Sequence, residues 1–224
     1  MPRSGGVWSA RGFCCSVRCR DGEPSGISSR KWGCMKLVLA SFSRARAELL
    51  RVCGYAFTQH PSGVEERAFE PGEDPGEYVE HLARQKAAAV AVDYPDAVVV
   101  GADTVLYLND KTYGKPKDLD DAVRMLSELS GKTHLLVTGV CVMAAAGAIS
   151  EMGHDTVKVT MRQWSLDHIR RHVDLAKPLA YAGAYALQQE GCVMVERIEG
   201  DPNTVIGLPL GMVEAMIQSV AKGE

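Results

Sequence analysis

Ala97-Val98-Val99-Val100 is an unbroken apolar run with three β-branched residues in succession, and it leads into Gly101-Ala102-Asp103-Thr104. A strand that is apolar on both sides must be covered on both sides, which is the condition of a parallel sheet held between helices. The rest of the chain supplies those helices. Leu37-Val38-Leu39-Ala40 reads as a second strand, broken by Ser41-Phe42-Ser43 before a helix from Arg44 to Val52 that Gly54 stops. Glu77 to Val92 places Tyr78, Val79, Leu82, Ala83, Lys86, Ala89 and Val90 at helical spacing. Asp118 caps a helix to Leu129 with Gly131 beyond it, and Ser165 starts another with Trp164 and Ile169 placed as a hydrophobic staple. Val105 to Leu108 reaches a turn at Asn109-Asp110, and Leu135 to Met143 and Val193 to Ile198 read as further strands. Val157 to Arg162 alternates like an antiparallel neighbour, and Leu210 to Val220 closes the chain as a helix. Interleaved strands and helices predict an α/β fold, a mixed sheet with flanking helices.

Charge divides the chain unevenly. Residues 1–34 hold six Lys/Arg and two Asp/Glu, whereas the rest holds nineteen against twenty-six. An acidic body is a poor nucleic-acid binder, since duplex affinity comes chiefly from phosphate neutralisation. No apolar run has the ~20 residues that span a bilayer, so neither nucleic acid nor membrane is expected as a partner. Cys53, Cys141 and Cys192 stand far apart in apolar surroundings, which suits reduced thiols in the cytoplasm.

Residues 1–34 read as a disordered extension or a non-native start, with the folded domain at 35–224 and Met35 as the functional beginning. The segment is rich in Gly, Ser and Arg and lacks an amphipathic period, and its Cys14-Cys15-Cys19 cluster has no paired second half at zinc-site spacing. Removal of residues 1–34 is therefore expected to leave turnover and melting temperature unchanged. A drop of more than ~5 °C on removal, about 1–2 kcal/mol for a chain this size, would overturn that reading.

Several residues invite a chemical reading. Ser41, Ser43 and Arg46 sit where a strand gives way to a helix, whose free N–H groups and positive dipole end favour an anion. On composition alone, an ordinary N-cap at Ser43 with solvated arginines is the better explanation of them. Asp103 directly follows a buried strand, at the carboxyl end where open α/β sheets place ligands. Glu65 and Glu66 follow the loop Pro61-Ser62-Gly63-Val64; such a pair is ordinarily solvated, but one of the two can join Asp103 in an oxygen-ligand site for Mg²⁺ or Mn²⁺. Lys86 interrupts an apolar stripe, either to serve a site or to snorkel. Lys115 stands in the rigid turn Tyr113-Gly114-Lys115-Pro116, as a fixed ammonium or a solvated one. Gln188 is a lone amide in an apolar segment, suited to a base edge or to solvent. The histidines form no metal set, and no P-loop, GxGxxG or serine-hydrolase signature is present.

The order of these pieces is more specific than any one of them. Leu39-Ala40-Ser41-x-Ser43-x-x-Arg46-x-x-Leu49-Leu50, Glu66, and Tyr78-Val79-x-x-Leu82-Ala83-x-x-Lys86-Ala87 resemble the Maf family of nucleotide pyrophosphatases. So do Gly101-Ala102-Asp103-Thr104-Val105, Gly114-Lys115-Pro116 with Asp118, and Leu129-Ser130-Gly131-x-x-His134. Thr138-Gly139-Val140, Gly183-Ala184-Tyr185 and Gly207-Leu208-Pro209-Leu210 continue the likeness, which runs from Met35 to about Ile217. The resemblance implies a two-lobed fold related to inosine triphosphatases, with an active-site cleft between the lobes. It implies hydrolysis of the α–β phosphoanhydride of a nucleoside triphosphate with a divalent metal, giving a monophosphate and pyrophosphate, and a homodimer. By the same resemblance Asp103 is the proton acceptor, Glu66 and Asp103 the metal partners, Lys86 and Lys115 catalytic, and Ser41, Ser43 and Arg46 phosphate-binding.

Base choice falls by resemblance on Ala45, Thr104 and Gln188. The pyrimidine-specific branch carries Pro-Arg where this chain has Arg44-Ala45. The branch acting on 7-methyl-GTP has Trp at the Ala45 position and Gln and Glu in place of Thr104 and Gln188. Two of three positions favour dTTP and UTP, and the 7-methyl-GTP activity is the alternative. A nucleotide-binding regulator of cell division, or a nucleotidyltransferase, is the alternative of another class.

Overall fold

The computed structural model describes residues 7–9, 35–187 and 193–222, with side chains from residue 35 onward. The strands β1 (Val7–Ser9), β2 (Lys36–Leu39), β3 (Thr58–Gln59), β4 (Ala97–Leu108), β5 (Lys111–Tyr113), β6 (Thr133–Ala144), β7 (Ile149–Met161) and β8 (Val195–Glu199) follow the order β1-β8-β7-β6-β4-β2-β3, with β5 paired to β4. The mixed α/β class expected from the sequence is the class observed. The described residues divide into two compact units, one lying within 19–103, 138–155 and 207–224 and the other within 1–18, 104–137 and 156–206. Among the described residues no helix is long and apolar enough to cross a membrane.

The first of these units contains the parallel core. β2 (Lys36–Leu39) pairs in parallel with both β3 (Thr58–Gln59) and β4 (Ala97–Leu108), in the register Leu37 to Val98 and Leu39 to Val100. Val99, Val100 and Leu39 are fully buried, as the two-sided apolar run requires. α1 (Arg44–Val52) begins at the N-cap Ser43, and the chain leaves it through Gly54 at φ +80°. α2 (Pro75–Ala91) starts two residues before the predicted Glu77, because Asp74 accepts the N–H groups of Gly76 and Glu77 at 2.8 and 3.0 Å. α2 lies with its backbone directly on the sheet. A Cβ at Gly101 would come within 2.3 Å of the Ala83 carbonyl oxygen, and one at Gly139 within 2.5 Å of the Val79 carbonyl oxygen.

Gly101 corrects the sequence reading at this point. The expected strand end after Val100 is not there, and β4 runs on to Leu108 as one strand of 12 residues. Gly101 is in the strand to admit α2, not to turn the chain. Asp103 is therefore in mid-strand, three residues beyond Val100, where the pairing with β2 ends.

In the other unit, Asn109 and Asp110 at φ 53° and 59° turn β4 into β5 (Lys111–Tyr113). Asp118 caps α3 (Leu119–Leu129) and Ser165 caps α4 (Leu166–Ala176), both as read from the sequence. These helices share a core with Leu106, Leu126, Leu129, Ile169, Val173 and Met194. His134 at the start of β6 (Thr133–Ala144) shares a hydrogen bond with the Tyr185 hydroxyl at 2.7 Å. Burial pushes its imidazole down to about 3, so the pair is a neutral one. β7 (Ile149–Met161) starts eight residues before the predicted Val157, and its first eight residues, Ile149 to Thr156, alternate only between half-buried and exposed. β7 pairs antiparallel with β8 (Val195–Glu199), as expected of an alternating strand. A three-residue strand in the N-terminal segment, β1 (Val7–Ser9), also pairs with β8, where the sequence offered no element. α5 (Pro202–Ile206) was likewise not foreseen, and α6 (Leu210–Lys222) closes the chain.

Candidate active site

A four-residue charge cluster forms at the end of the β2 and β4 pairing. Lys86 projects from the apolar face of α2 and is 9% exposed, yet it does not snorkel to solvent. Its Nζ donates to Asp103 Oδ1 at 2.5 Å and to Glu66 Oε1 at 2.6 Å. A lysine amid Leu82, Ala83 and Ala87 needs those partners, because burying an ammonium unpaired costs several kcal/mol. Asp103 is 6% exposed, whereas the Glu66 side chain is half open, at 52%. The cluster thus has one buried carboxylate and one facing outward.

Arg46 supplies the second cation. Its Nε donates to the Gly207 carbonyl at 2.8 Å and its Nη1 to Ser41 Oγ at 3.3 Å. Burial pushes the guanidinium down while Asp103 and Glu66 pull it back up, and it stays a cation. Ser41 Oγ also accepts the Ser43 N–H at 3.1 Å, and Ser43 Oγ accepts the Arg46 N–H at 3.3 Å. Ser43 thus fulfils the N-cap reading, and Ser41 with Arg46 forms the polar turn at the head of α1.

Asp103 is held above the ordinary carboxylate range, chiefly by burial. Lys86 and Arg46 oppose the shift and Glu66 adds to it. A carboxylate so placed is a better proton acceptor than a solvated one, since its basicity is raised while its counter-charges keep it ionisable.

The loop that carries Glu66 is tied down by residues that sequence reasoning took as core or passed over. The Tyr78 hydroxyl donates to the Arg67 carbonyl at 2.7 Å, and the Arg67 guanidinium stacks 4.8 Å from the Tyr78 ring centroid. Arg67 is also paired with Glu73, and Phe69 meets Tyr78 edge-on. Tyr78 was legible only as an apolar helix position; its hydroxyl was the available signal of a polar task. Gly207, at φ +113°, offers its carbonyl to Arg46 by backbone geometry that no side chain announces.

Ala45 is half-buried in the first turn of α1, beside Arg46. Thr104 and Lys115 belong to the other unit. Thr104 follows Asp103 on β4, and Lys115 is exposed in a turn whose Gly114 carbonyl accepts the Gly183 N–H at 3.0 Å. Gln188 lies outside the described residues.

For a cation the cluster offers hard oxygen ligands alone. No group of three or more His, Cys, Asp or Glu suited to a metal occurs among the described residues. Glu66 and Asp103, which share the Lys86 ammonium, are the two carboxylates that would hold a cation here. That donor set fits Mg²⁺ or Mn²⁺ completed by substrate phosphates and water, and does not fit a structural zinc.

The sequence model of the Maf-like protein family matches residues 36–220. The chain belongs to the Maf-like family. The chain is similar to the dTTP/UTP pyrophosphatase of Pelotomaculum thermopropionicum, 40% identical over 82% of this chain and 95% of that protein. The dTTP/UTP pyrophosphatases of Shouchella clausii and Aquifex aeolicus are 43% and 42% identical, over 77% and 79% of this chain and 89% and 90% of theirs. The solved Ham1 protein of Staphylococcus aureus aligns at 14% identity over 82% of this chain and 98% of its own, with a TM-score of 0.46.

Proposed function

We propose that this Maf-like chain is a nucleoside triphosphate pyrophosphatase, cutting the α–β phosphoanhydride to a monophosphate and pyrophosphate, with dTTP and UTP preferred. The observation that carries the reading is Asp103, buried, raised in basicity and bound at 2.5 Å to a buried Lys86. A protein that only senses a nucleotide has no use for a buried base held against a buried ammonium. The curated relatives named dTTP/UTP pyrophosphatase support the same chemistry and the same bases.

In this reading Asp103 takes the proton of the water that attacks the α-phosphorus, and Glu66 and Asp103 hold the divalent cation. When bound, that cation supplies Lewis-acid polarisation of the phosphoryl oxygens. Arg46, the hydroxyl of Ser41 and the head of α1 take the phosphate oxygens, since phosphoryl transfer is won mainly by positioning and charge neutralisation. Lys86 and Lys115 offset the charge gathering on the departing pyrophosphate. A homodimer and a cytoplasmic setting belong to the same proposal, the latter suited by free thiols at Cys53 and Cys141.

Pyrophosphate release over a nucleotide panel, without any acceptor, tests it. Gln188 carries a donor and an acceptor and can meet a pyrimidine's carbonyl and ring N–H together. An unpaired buried polar group costs about 1–3 kcal/mol, so kcat/KM for dTTP and UTP should exceed that for dATP and dGTP by at least ~10-fold. Gln188→Glu should lower the preference, because the carboxylate loses the donor. Equal rates on all bases, or a preference for 7-methyl-GTP, would overturn the base assignment. Absence of pyrophosphate from every nucleotide would overturn the activity itself.

A further inference from the structure

Lys86 bridges the two carboxylates of the cluster. Its one nitrogen is within hydrogen-bond reach of Glu66 Oε1 and Asp103 Oδ1 together, at 2.6 and 2.5 Å. Divalent cations of the Mg²⁺ class take carboxylate oxygens as ligands, so a cation held by Glu66 and Asp103 would compete with the Lys86 ammonium for the same two groups. An ammonium and a divalent cation would not both engage this carboxylate pair, because like charges at contact distance repel. The quartet of Lys86, Arg46, Asp103 and Glu66 is formally neutral, with both carboxylates already engaged. It offers a free metal ion no unclaimed carboxylate pair, and it offers a free triphosphate no net positive charge.

A metal–triphosphate complex meets both needs in one step. On its arrival Lys86 would pass from the carboxylates to a phosphate oxygen, and Glu66 and Asp103 would be left to hold the cation. Glu66, half open to solvent, is the side from which the exchange begins. We propose that Lys86 is the built-in occupant of the divalent-cation position, an internal counter-ion that keeps free metal out until the nucleotide brings it in. This rests on the pyrophosphatase reading for the identity of the ligand, but its test does not depend on turnover.

The experiment is Mn²⁺ binding to the full chain without nucleotide, followed by the electron paramagnetic resonance signal of free Mn²⁺. Wild type is expected to bind weakly. Lys86→Met should bind at least about tenfold more tightly, because one positive charge has left the site. Adding Glu66→Gln to Lys86→Met should abolish the gain, which locates it. If Lys86→Met does not fold, Lys86→Gln removes the same charge while keeping a hydrogen-bond donor, and the same gain is expected. A non-hydrolysable α,β-imido analogue of dUTP should raise Mn²⁺ retention in wild type far more than in either neutral variant. Mn²⁺ affinity unchanged or weakened in the neutral variants, or a gain that survives Glu66→Gln, overturns the proposal. Wild type that releases no pyrophosphate from any nucleotide removes the functional reading alone and leaves the Mn²⁺ comparison standing.

Discussion

Asp103→Asn is expected to lower kcat by ~10²-fold or more, the usual worth of a positioned general base, with the fold retained. The amide has the shape of the carboxylate, and its oxygen can still accept the Lys86 N–H now found at 2.5 Å. What it loses is the ability to take a proton and one negative charge facing Lys86 and Arg46. Lys86 keeps Glu66 at 2.6 Å, so its ammonium is not left uncompensated and the melting temperature should move little. The loss then appears in kcat and not in the folded fraction. Single-turnover pyrophosphate release at saturating Mg²⁺, read beside a thermal melt, separates the two. Near-normal turnover in Asp103→Asn would remove Asp103 from the role of proton acceptor.

Local signals located the helices well where caps and stops are chemical. Ser43 and Gly54 bracket α1, and Asp118 and Gly131 bracket α3, because a side-chain acceptor and a positive-φ residue do their work within one turn of the chain. Strand limits were less legible. Gly101 has the look of a strand terminator, and only the α2 backbone lying across it shows why a glycine continues the strand. The first half of β7 has no buried face to print a pattern, and the two residues of β3 are too few to show one.

The site was legible as residues but not as a constellation. Lys86 on an apolar stripe is ambiguous until two carboxylates from a loop and a strand are seen on its nitrogen. Those partners are 20 and 17 residues away, so no local rule joins them. The ordered motifs of the Maf-like family supplied what spacing alone withholds. Tyr78 and the Gly207 carbonyl act through contacts that only the folded chain contains.

Gly101→Ala should damage stability and activity together, for one mechanical reason. The new methyl would stand 2.3 Å from the Ala83 carbonyl oxygen, 2.8 Å from the Ala87 nitrogen and 2.9 Å from the Ala87 Cβ. Two of these are backbone atoms of α2, which cannot rotate away as a long side chain would. Either α2 lifts from β4 or β4 bends. Overpacking of this kind costs ~1–3 kcal/mol, and at about 2–4 °C per kcal/mol for a chain of this length the melting temperature should fall by roughly 3–10 °C. Lys86 sits on α2 between Ala83 and Ala87, and Asp103 is two residues along β4 from Gly101. The same displacement therefore stretches the 2.5 Å contact between them. A misplacement of ~1 Å in a catalytic constellation can cost ~10²-fold, so kcat should fall well beyond what the loss of folded protein explains. Gly211→Ala is the control, because a Cβ there meets nothing within 4 Å. A Gly101→Ala protein that melts and turns over like Gly211→Ala would show that α2 does not rest on β4 as described. A protein that melts lower but keeps full kcat would show that Lys86 and Asp103 are not positioned by that contact.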